Sequence, residues 1–422
     1  MTWSALRWFL LASFLRPLVE MYVLVVGHWW VRTHFRRDRS KFDVLIVQIT
    51  TVGTEEERVN EIIAEIRSYP LTMPHEIWVV NEPGHDDEYP DADLVITVPR
   101  EFTARSRYKA RALEYSRRVR QKFEYNGPET KIVFLDDDTS PTRDYLETAF
   151  EADYDICQGT TAPRIKYGAM PLSHFLLSHI DDLRFHNCMT YCSTWQGMLN
   201  APLFVHGEGL TVTGYAEEIT TWDYPVFASE DLTFGCNAAA KGLSWGYFHE
   251  YIELTSPWTW RAYFKQRRRW MWGNIHAIFH RDVLPLGAGV RIGLRYALSL
   301  YTFFGSAAAV GLVLSGSVEL APWWYALFWC SLAVWLGNYA AGGWVNAGRR
   351  EPGTRFVAFW TNRLWQTLAA TVLAPLTATW TMVALVSTIA MGNPRSFEVI
   401  AKTAKGAGIR KEPERERERE PV

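Results

Sequence analysis

The segment KIVFLDDDTSP, residues 131–141, places three aspartates directly after a short apolar run and shortly before a proline. A continuous apolar run of this kind is typical of a strand buried in a parallel sheet. Three adjacent carboxylates at its end repel one another, which raises their pKa values unless a cation balances the charge. Asp136 and Asp138 point the same way and suit a hard ion such as Mg²⁺ or Mn²⁺. The alternative is an acidic first turn of the following helix, with no ion involved.

Strand and helix signals alternate on the N-terminal side of this segment. Strand-like runs occupy 42–51, 75–83, 92–99 and 131–138, and helical patterns occupy 54–70 and 104–124. The alternation predicts an α/β fold with a parallel sheet covered on both faces, whose ligands bind at the carboxyl ends of the strands. Glu82 should then face the same crevice as Asp136. No GxGxxG or P-loop pattern follows these strands, which excludes the usual dinucleotide and P-loop sites.

Apolar residues are concentrated at the two ends of the chain. Of 422 residues, 48% are hydrophobic and 20 are tryptophan, and the longest apolar stretches are 8–31 and most of 291–392. Such stretches are long enough to cross a bilayer at roughly 20 residues per span. The basic segment at 32–41 predicts an uncleaved anchor with the following domain in the cytoplasm. The near-neutral net charge of −2 argues against a nucleic-acid partner.

These signals divide the chain into five regions. We expect a membrane anchor at 1–34, a cytoplasmic catalytic domain at 42–257, interfacial helices at 258–290, transmembrane helices at 291–392 and a cytoplasmic tail at 393–422. Within the membrane region, 291–315 and 319–345 each predict one crossing. The run 356–392 contains Pro375 and is too long for one crossing. We therefore expect it to enter and return as two short helices that meet near that proline.

Two pairs of side chains have helical i, i+4 spacing. Arg16 and Glu20, inside the anchor, can form an ion pair on one helix face. Cys188 and Cys192 can also share a face, but a zinc site needs more ligands nearby, so we expect them to be small core residues. The five cysteines form no CxxC pair, which is typical of a protein in a reducing compartment.

The segment FASEDLTFG at 227–235 contains a second group of carboxylates, Glu230 and Asp231. An acidic pair before a helical run is often only a helix cap. A carboxylate close to the crevice of Asp136 would instead take a proton from a hydroxyl nucleophile.

The segment WTWRAYFKQRRRWMWGN at 258–274 contains a third group. On a helix, Gln266, Arg269, Trp270 and Gly273 share one face. Arginine binds a diphosphate in bidentate fashion, and a tryptophan plane suits the apolar face of a sugar ring. The alternative is a basic and aromatic helix that lies on anionic lipid.

In this order, the three groups resemble the DxD, ED and QxxRW signature of family 2 inverting glycosyltransferases, the family that includes cellulose and hyaluronan synthases. Further segments are similar to the Egghead-type β-1,4-mannosyltransferases of that family, which use GDP-mannose: IVQITTVG, YKARALEY, HGEG, SEDLTFG and ELTSPWTWRAYFKQRRRW. That subgroup has D-E-E where this chain has D-D-D, which leaves the donor sugar open. The resemblance implies a GT-A-type (Rossmann-like) domain and a Mg²⁺ or Mn²⁺ cofactor.

The resemblance also implies a role for each matching residue. Asp231 would be the general base, and Asp136 and Asp138 would bind the metal and the donor diphosphate. The donor would further contact Glu82, Lys109, Gln266 and Arg269, and the acceptor would contact His206, Gly207, Glu230 and Trp270. In the tail, SFEVIAK is similar to the gating loop of cellulose synthase at Phe397, Val399 and Lys402, although an amphipathic surface turn would explain it equally.

These inferences predict a multi-pass membrane glycosyltransferase, in the plasma membrane if the source is bacterial or archaeal. It would transfer mannose from GDP-mannose to a lipid-linked or glycan acceptor at the cytoplasmic face, forming a β-glycosidic linkage. One alternative is a processive polysaccharide synthase that uses a UDP-sugar and extrudes its polymer. Another is a non-catalytic transporter or scaffold, whose charged clusters only position it at the bilayer.

Overall fold

The computed structural model describes residues 8–53, 55–84, 87–163, 172–181, 188–316, 321–348 and 355–392. The strands are β1 Val44–Thr51, β2 His75–Asn81, β3 Leu94–Thr97, β4 Thr130–Asp136, β5 Thr139–Pro141, β6 Ile156–Pro163, β7 Thr211–Thr213 and β8 Trp245–Leu254. The helices are α1 Leu15–His34, α2 Glu56–Arg67, α3 Lys109–Lys122, α4 Arg143–Glu151, α5 Leu172–Ile180, α6 Gly214–Thr220, α7 Glu230–Ala240, α8 Trp260–Phe279, α9 Leu286–Leu314, α10 Pro322–Asn346 and α11 Phe356–Met391. A π-helix covers Cys188–Met198.

The strands form one sheet in the order β3-β2-β1-β4-β7-β6-β8-β5. The predicted parallel arrangement is confirmed for β3, β2, β1 and β4, whose register pairs Thr50 with Asp136. Beyond β4 the sheet is mixed, because β7 is antiparallel to both of its neighbours and β5 is antiparallel to β8. With three residues each, β5 and β7 are too short for a periodic sequence signal. The predicted α/β fold class is confirmed.

Hydrophobic side chains pack on both faces of the sheet. On β1, Leu45, Val47 and Ile49 join a cluster with residues of α2 and α4. Ile46 points to the opposite face and belongs to a cluster with residues of α3, α6 and α7. This alternation is the two-residue period of a strand covered on both sides. Ile292 of α9 belongs to the second cluster, so the long apolar helix begins within the core of the α/β domain.

The chain does not start a helix directly after the three aspartates. Thr139–Pro141 forms β5, which pairs with β8. The helix α4 begins later, and its cap is Thr142, whose Oγ1 accepts a hydrogen bond from the backbone N–H of Tyr145 (3.2 Å). Asp136 therefore ends β4, and Asp137 and Asp138 form the turn between β4 and β5. The alternative in which they form an acidic first helical turn is wrong, because the threonine hydroxyl supplies the cap.

Three segments of the described chain are long and apolar enough to cross a membrane, by length and composition: Trp8–His34, Leu286–Leu314 and Phe356–Met391. The helix α10 has 25 residues, close to the predicted 319–345, but it is not among the three. Its tryptophans, its tyrosines and Asn338 lower its mean hydropathy.

The predicted pair of short helices at 356–392 is wrong. The helix α11 is continuous over 36 residues, with Pro375 in its interior. A proline removes one backbone hydrogen bond, and long apolar helices tolerate this when neighbouring helices and threonine hydroxyls satisfy the freed groups. The carbonyl that Pro375 leaves without its helical N–H partner is that of Thr371. In this part of α11 the hydroxyls of Thr371 and Thr379 donate to the carbonyls four residues earlier (2.7 and 2.8 Å), and Ala370 packs against Gly343 of α10.

The C-terminal half of α11 packs against α8. The rings of Trp380 and Trp260 lie 5.9 Å apart, and Arg268 Nη2 donates to the carbonyl of Gly392 (3.0 Å). The predicted pair in the first helix is present, since Arg16 Nε lies 2.8 Å from Glu20 Oε1. Phe397, Val399 and Lys402 of the predicted gating loop lie outside the described residues.

Candidate active site

The carboxyl ends of β1, β2 and β4 form one edge of the sheet, and Asp136 is the last residue of β4. Lys109, the first residue of α3, donates a hydrogen bond to Asp136 Oδ1, and its Nζ lies 3.9 Å from Glu230 Oε1. Burial alone lowers the pKa of Lys109, but the carboxylates of Asp136 and Glu230 outweigh this and hold the pKa above its usual value. The Lys109 ammonium group therefore lies between Asp136 of the first predicted carboxylate group and Glu230 of the second.

The other two aspartates have different surroundings. Asp138 is buried at 7% exposure and lines the same cavity as Asp136. Asp137 points back toward β1, where its Oδ2 accepts a hydrogen bond from Thr51 Oγ1 (3.3 Å). The expected division between the pair Asp136–Asp138 and the single Asp137 is therefore visible in the structure. Asp137 is held by Thr51 at the end of β1.

Glu82 follows β2 at the same edge of the sheet. Its Oε2 accepts a hydrogen bond from Arg111 Nη2 of α3 at 2.5 Å. Its Oε1 is buried and has no hydrogen-bond partner within the part of the chain that the structure describes. One turn of α3 thus contacts two of the three predicted donor carboxylates, Asp136 through Lys109 and Glu82 through Arg111. Glu82 does not line the cavity that contains Asp136.

The acidic pair Glu230–Asp231 begins α7, directly after a residue with an unusual backbone. Ser229 has φ 60° and ψ 34°, the left-handed region that non-glycine residues rarely adopt. Asp231 Oδ1 accepts a hydrogen bond from the N–H of Leu232 (2.8 Å). Burial raises the pKa of Asp231 to about 7, the Glu230 carboxylate adds to the shift, and Lys109 opposes it. A carboxylate with such a pKa accepts a proton at neutral pH.

The predicted face of α8 points into the same cavity, which Gln266, Arg269 and Trp270 all line. Gln266 is 7% exposed, and its Oε1 has no hydrogen-bond partner among the described residues. Burial lowers the pKa of Arg269, and the carboxylates of Glu230, Asp136 and Asp138 act in the opposite direction. Its guanidinium remains charged at neutral pH.

A buried ion pair fixes α8 beside the cavity, which Arg267 also lines. Arg267 donates to Asp181 Oδ1, and Asp181 Oδ2 accepts a hydrogen bond from Ser256 Oγ (2.8 Å). The same guanidinium lies 4.6 Å from the centroid of the Trp270 ring. The orientation of this tryptophan therefore depends on an ion pair outside the predicted motif.

The loop His206–Gly209 closes another side of the site. Gly207 lies so close that a Cβ atom there would be 3.0 Å from Lys109 Nζ and 3.5 Å from Asp231 Oδ2. His206 Nε2 lies 3.2 Å from Cys188 Sγ and 3.7 Å from Cys192 Sγ. Sequence reasoning expected the two cysteines to be core residues and did not connect them with this histidine.

One cavity of about 920 Å³ contains ten of the predicted site residues: Lys109, Asp136, Asp138, His206, Gly207, Glu230, Asp231, Gln266, Arg269 and Trp270. It continues between the long helices, where the apolar side chains of Phe14, Val310, Phe328, Leu332 and Trp335 line it. The carboxylates and the apolar helices thus share a single cavity.

Several charged and polar lining residues were missed by sequence reasoning. Glu208 lies close enough to add to the raised pKa of Asp231. Arg295 of α9 lines the cavity where it enters the helices, and so does the predicted pair Arg16–Glu20, which the sequence did not connect with the site. A charged residue within a long apolar helix is the signal that would have identified them.

The residues at the strand end fit a hard divalent ion. Asp136 and Asp138 offer carboxylate oxygens to the same cavity, and Asp138 is buried. Mg²⁺ and Mn²⁺ are commonly held by one or two carboxylates, with substrate phosphates and water completing the shell. These two aspartates would therefore hold such an ion together with a diphosphate.

Residues 131–338 match the family described as Glycosyl transferase family group 2. The chain thus contains a family 2 glycosyltransferase domain, and the matched residues run from β4 through the acidic pair and α8 into α10. Over 208 residues the chain is 24% identical to beta-1,4-mannosyltransferase egh of Drosophila melanogaster. That alignment covers 47% of this chain and 44% of the length of the relative.

Two solved structures are similar at low sequence identity. The mannosyltransferase PcManGT from Pyrobaculum calidifontis, in complex with GDP-Man and Mn2+, is 16% identical, with a TM-score of 0.49, over 88% of this chain and 99% of that one. TarS from S. aureus is 12% identical, with a TM-score of 0.35, over 81% of this chain and 55% of that one. The family match indicates glycosyl transfer as the reaction class and favours it over the non-catalytic alternative.

Proposed function

We propose that the protein is a membrane-bound inverting glycosyltransferase that transfers mannose from GDP-mannose to a lipid-linked acceptor at the cytoplasmic face. The observation that carries this proposal is the position of Asp231. Its carboxyl group has a pKa of about 7 and lies in one cavity with Asp136, Asp138 and Arg269. A base, an acidic metal-binding pair and a cation that suits a diphosphate are the groups that direct sugar transfer from a nucleotide requires.

The donor end of the site consists of Asp136, Asp138, Lys109 and Arg269. Bound at the two aspartates, a divalent ion would neutralise charge on the departing diphosphate. Lys109 and Arg269 line the same space and would bind the remaining phosphate oxygens. Glu82 follows β2, and β1 lies between β2 and β4 in the sheet. One carboxylate oxygen of Glu82 is buried and would accept hydrogen bonds from the nucleotide base.

The transfer itself is a single displacement. Asp231 takes the proton of the acceptor hydroxyl while that oxygen forms a bond to the anomeric carbon. The bond between this carbon and the diphosphate oxygen breaks, and its electron pair leaves with the nucleoside diphosphate. Attack from the side opposite the leaving group inverts the configuration, so an α-linked donor gives a β-glycoside. Trp270 and Glu230, which also line the cavity, would hold the acceptor sugar.

The continuation of the cavity supports an acceptor with an apolar chain. Phe14 and the α9 and α10 side chains that line its far end form an apolar surface. A free glycan would leave that surface exposed to water, whereas a lipid-linked sugar would cover it.

The donor sugar and the side of the membrane are supported by other observations. The 24% sequence identity with a relative described as a beta-1,4-mannosyltransferase supports mannose as the sugar. The basic flank of the first helix and the contact between Gly392 and Arg268 support placing the tail and the site on one side of the membrane.

The test is to purify the full chain in detergent with Mn²⁺ or Mg²⁺ and to screen nucleotide sugars and lipid acceptors for nucleoside diphosphate release and glycolipid product. We expect GDP-mannose to be the donor and a short β-linked product that does not lengthen with time. Asp231→Asn should abolish transfer, and Asp282→Asn, at an exposed surface pair with Arg105 (3.5 Å), should not. Full transfer by Asp231→Asn, or no product with any donor, would refute the proposal.

A further inference from the structure

We infer that Cys188, Cys192 and His206 form a zinc site that is separate from the acidic pair at the end of β4. The three candidate ligand atoms, two sulfurs and one ring nitrogen, all lie within 4.8 Å of one another. They are the only such group of three or more histidine, cysteine or acidic residues in the part of the chain that the structure describes. This inference goes beyond the proposed sugar transfer and does not depend on it.

The distances between the ligand atoms suit a tetrahedral ion. Zinc lies about 2.3 Å from a thiolate and about 2.0 Å from an imidazole nitrogen, which puts the two ligand atoms about 3.5 Å apart at the tetrahedral angle. His206 Nε2 is 3.2 Å from Cys188 Sγ and 3.7 Å from Cys192 Sγ. Three protein ligands leave a fourth position for water.

The chemistry of the ligands selects a soft or borderline ion. Two thiolates and an imidazole favour Zn²⁺ over Mg²⁺ and Mn²⁺, which prefer the carboxylates of Asp136 and Asp138. Zinc binding replaces one proton on each cysteine, and both protons pass to solvent. The two thiolates then cancel the charge of the ion. The assembly adds no net charge to a site where both cysteines are fully buried, at 0% and 1% exposure.

The surrounding residues hold the ligands in place. Thr161 Oγ1 lies 3.5 Å from Cys188 Sγ, close enough to donate to a thiolate. Gln158 fixes the histidine by its backbone, since its Nε2 donates to the carbonyl of His206 (2.6 Å) and its Oε1 accepts from the N–H of His206 (3.2 Å). Such outer contacts orient the ligands of protein metal sites.

The site would connect the π-helix to the catalytic loop. Cys188 and Cys192 lie on the π-helix Cys188–Met198, and His206 begins the loop whose Gly207 lies against Lys109 and Asp231. His206 also lines the cavity, so an ion can enter from there. Zinc is therefore a positioning element here, which holds the loop against the site without contacting the reacting atoms.

The experiment measures metal content in the full chain. Protein is purified anaerobically in detergent, reduced, incubated with zinc sulfate, freed of excess metal by gel filtration and analysed by inductively coupled plasma mass spectrometry. We expect about one zinc per chain for the wild type and background levels for Cys192→Ser and Cys188→Ser. Cys236→Ser, a matched control at a buried cysteine of α7, should keep the zinc. Asp138→Asn should also keep it, because the carboxylate site is separate.

A second measurement uses only the wild-type protein, so it does not require that a cysteine variant folds. Cobalt(II) added to the wild type should give the near-ultraviolet charge-transfer absorption of thiolate-bound cobalt, which carboxylate ligands do not produce. Absence of this absorption, zinc at background in the reduced and zinc-treated wild type, or unchanged zinc in a Cys188→Ser/Cys192→Ser double variant would each overturn the inference.

Discussion

Gly273 of α8 lies directly against Ser229, the residue that precedes the acidic pair. A Cβ atom on Gly273 would be 2.5 Å from Ser229 Oγ and 3.0 Å from the Cβ of Ala228. The helix with the QxxRW face and the loop that leads into Glu230 and Asp231 are thus in contact at a point where no side chain fits. Because Ser229 already has a left-handed backbone, the loop has little freedom to move away.

We therefore expect Gly273→Ala to lower the turnover of the enzyme by up to roughly 100-fold, the order of loss for a displacement of about 1 Å at a reacting group. The measurement is steady-state release of nucleoside diphosphate. Gly337→Ala is the matched control, because a Cβ on this helical glycine of α10 meets no atom within 4 Å. Equal activity of the two variants would show that this contact does not position the acidic pair.

The raised pKa of Asp231 predicts the pH dependence of the reaction. Its folded-state pKa is about 7, and the base must be deprotonated to act. We expect kcat/KM to be constant above neutral pH and to fall about tenfold per pH unit below it. In Glu230→Gln the falling limb should move to lower pH, because the removed carboxylate helps to raise this pKa. A profile that is flat from pH 5 to 8 would contradict the assignment of Asp231.

The same shift predicts a change in stability. The pKa of Asp231 rises from an ordinary value of 3.8 to about 7 on folding, so the folded protein holds a proton that the unfolded chain has released. The contribution of this group to stability is fully present below about pH 3.8 and is lost progressively as the pH rises from there to about 7. We therefore expect the Tm of Asp231→Asn, relative to that of the wild type, to increase from pH 5 to pH 8. A difference that does not change with pH would argue against the shift.

The sequence pattern was sufficient for the first half of the fold. Continuous apolar runs such as the one that leads to Asp136 identify β1, β2 and β4, which are largely buried on both faces. The edge strand β3 is more exposed but has a short apolar run of the same kind. The strands β5 and β7, of three residues each, carry no periodic signal, and their partners are far away in the sequence. The sequence pattern also could not predict that α11 is continuous, because whether Pro375 breaks a helix depends on the neighbouring helices.

The candidate site, too, was predictable from the sequence only in part. The motifs identify Asp136, Asp231 and Arg269 by residue type and order, and the structure brings them into one cavity. The contact of His206 with Cys188 and Cys192 joins a π-helix to a loop through the fold alone. No sequence spacing predicts this contact, because the ligands lie on two elements whose separation in the chain is not fixed by helix or strand geometry.

The different surroundings of Asp138 and Asp137 predict different effects of the same substitution. Asp138→Asn removes a carboxylate from the cavity, and we expect activity to fall by about 100-fold or more, as when one group that stabilises transition-state charge is lost. Asp137→Asn leaves the cavity unchanged and should cost less than about tenfold, since Asp137 contacts Thr51. Activity at varied Mn²⁺ concentration is the measurement, and a larger loss for Asp137→Asn would refute the assignment.

The ion pair beneath Trp270 predicts a large loss of stability. Asp181 is 0% exposed, and in Asp181→Asn the guanidinium of Arg267 remains buried without its carboxylate. Breaking a buried pair on one side costs about 3–5 kcal/mol. Thermal unfolding in detergent should therefore show a lower Tm than the wild type. The exposed control Asp282→Asn should be unchanged, and equal Tm values for the two variants would contradict this account.

The apolar continuation of the cavity predicts which substitution blocks the acceptor. Ala307 of α9 lines the cavity, and its neighbour Ala308 does not. In Ala307→Trp the indole would occupy space that a lipid chain needs, so we expect KM for a lipid-linked acceptor to rise by at least about tenfold. Binding of the donor takes place at the other end of the cavity, so its slow hydrolysis without acceptor should not change. Ala308→Trp adds the same side chain outside the cavity and should leave both reactions intact. If the two variants use a lipid-linked acceptor equally well, the acceptor chain does not enter between these helices.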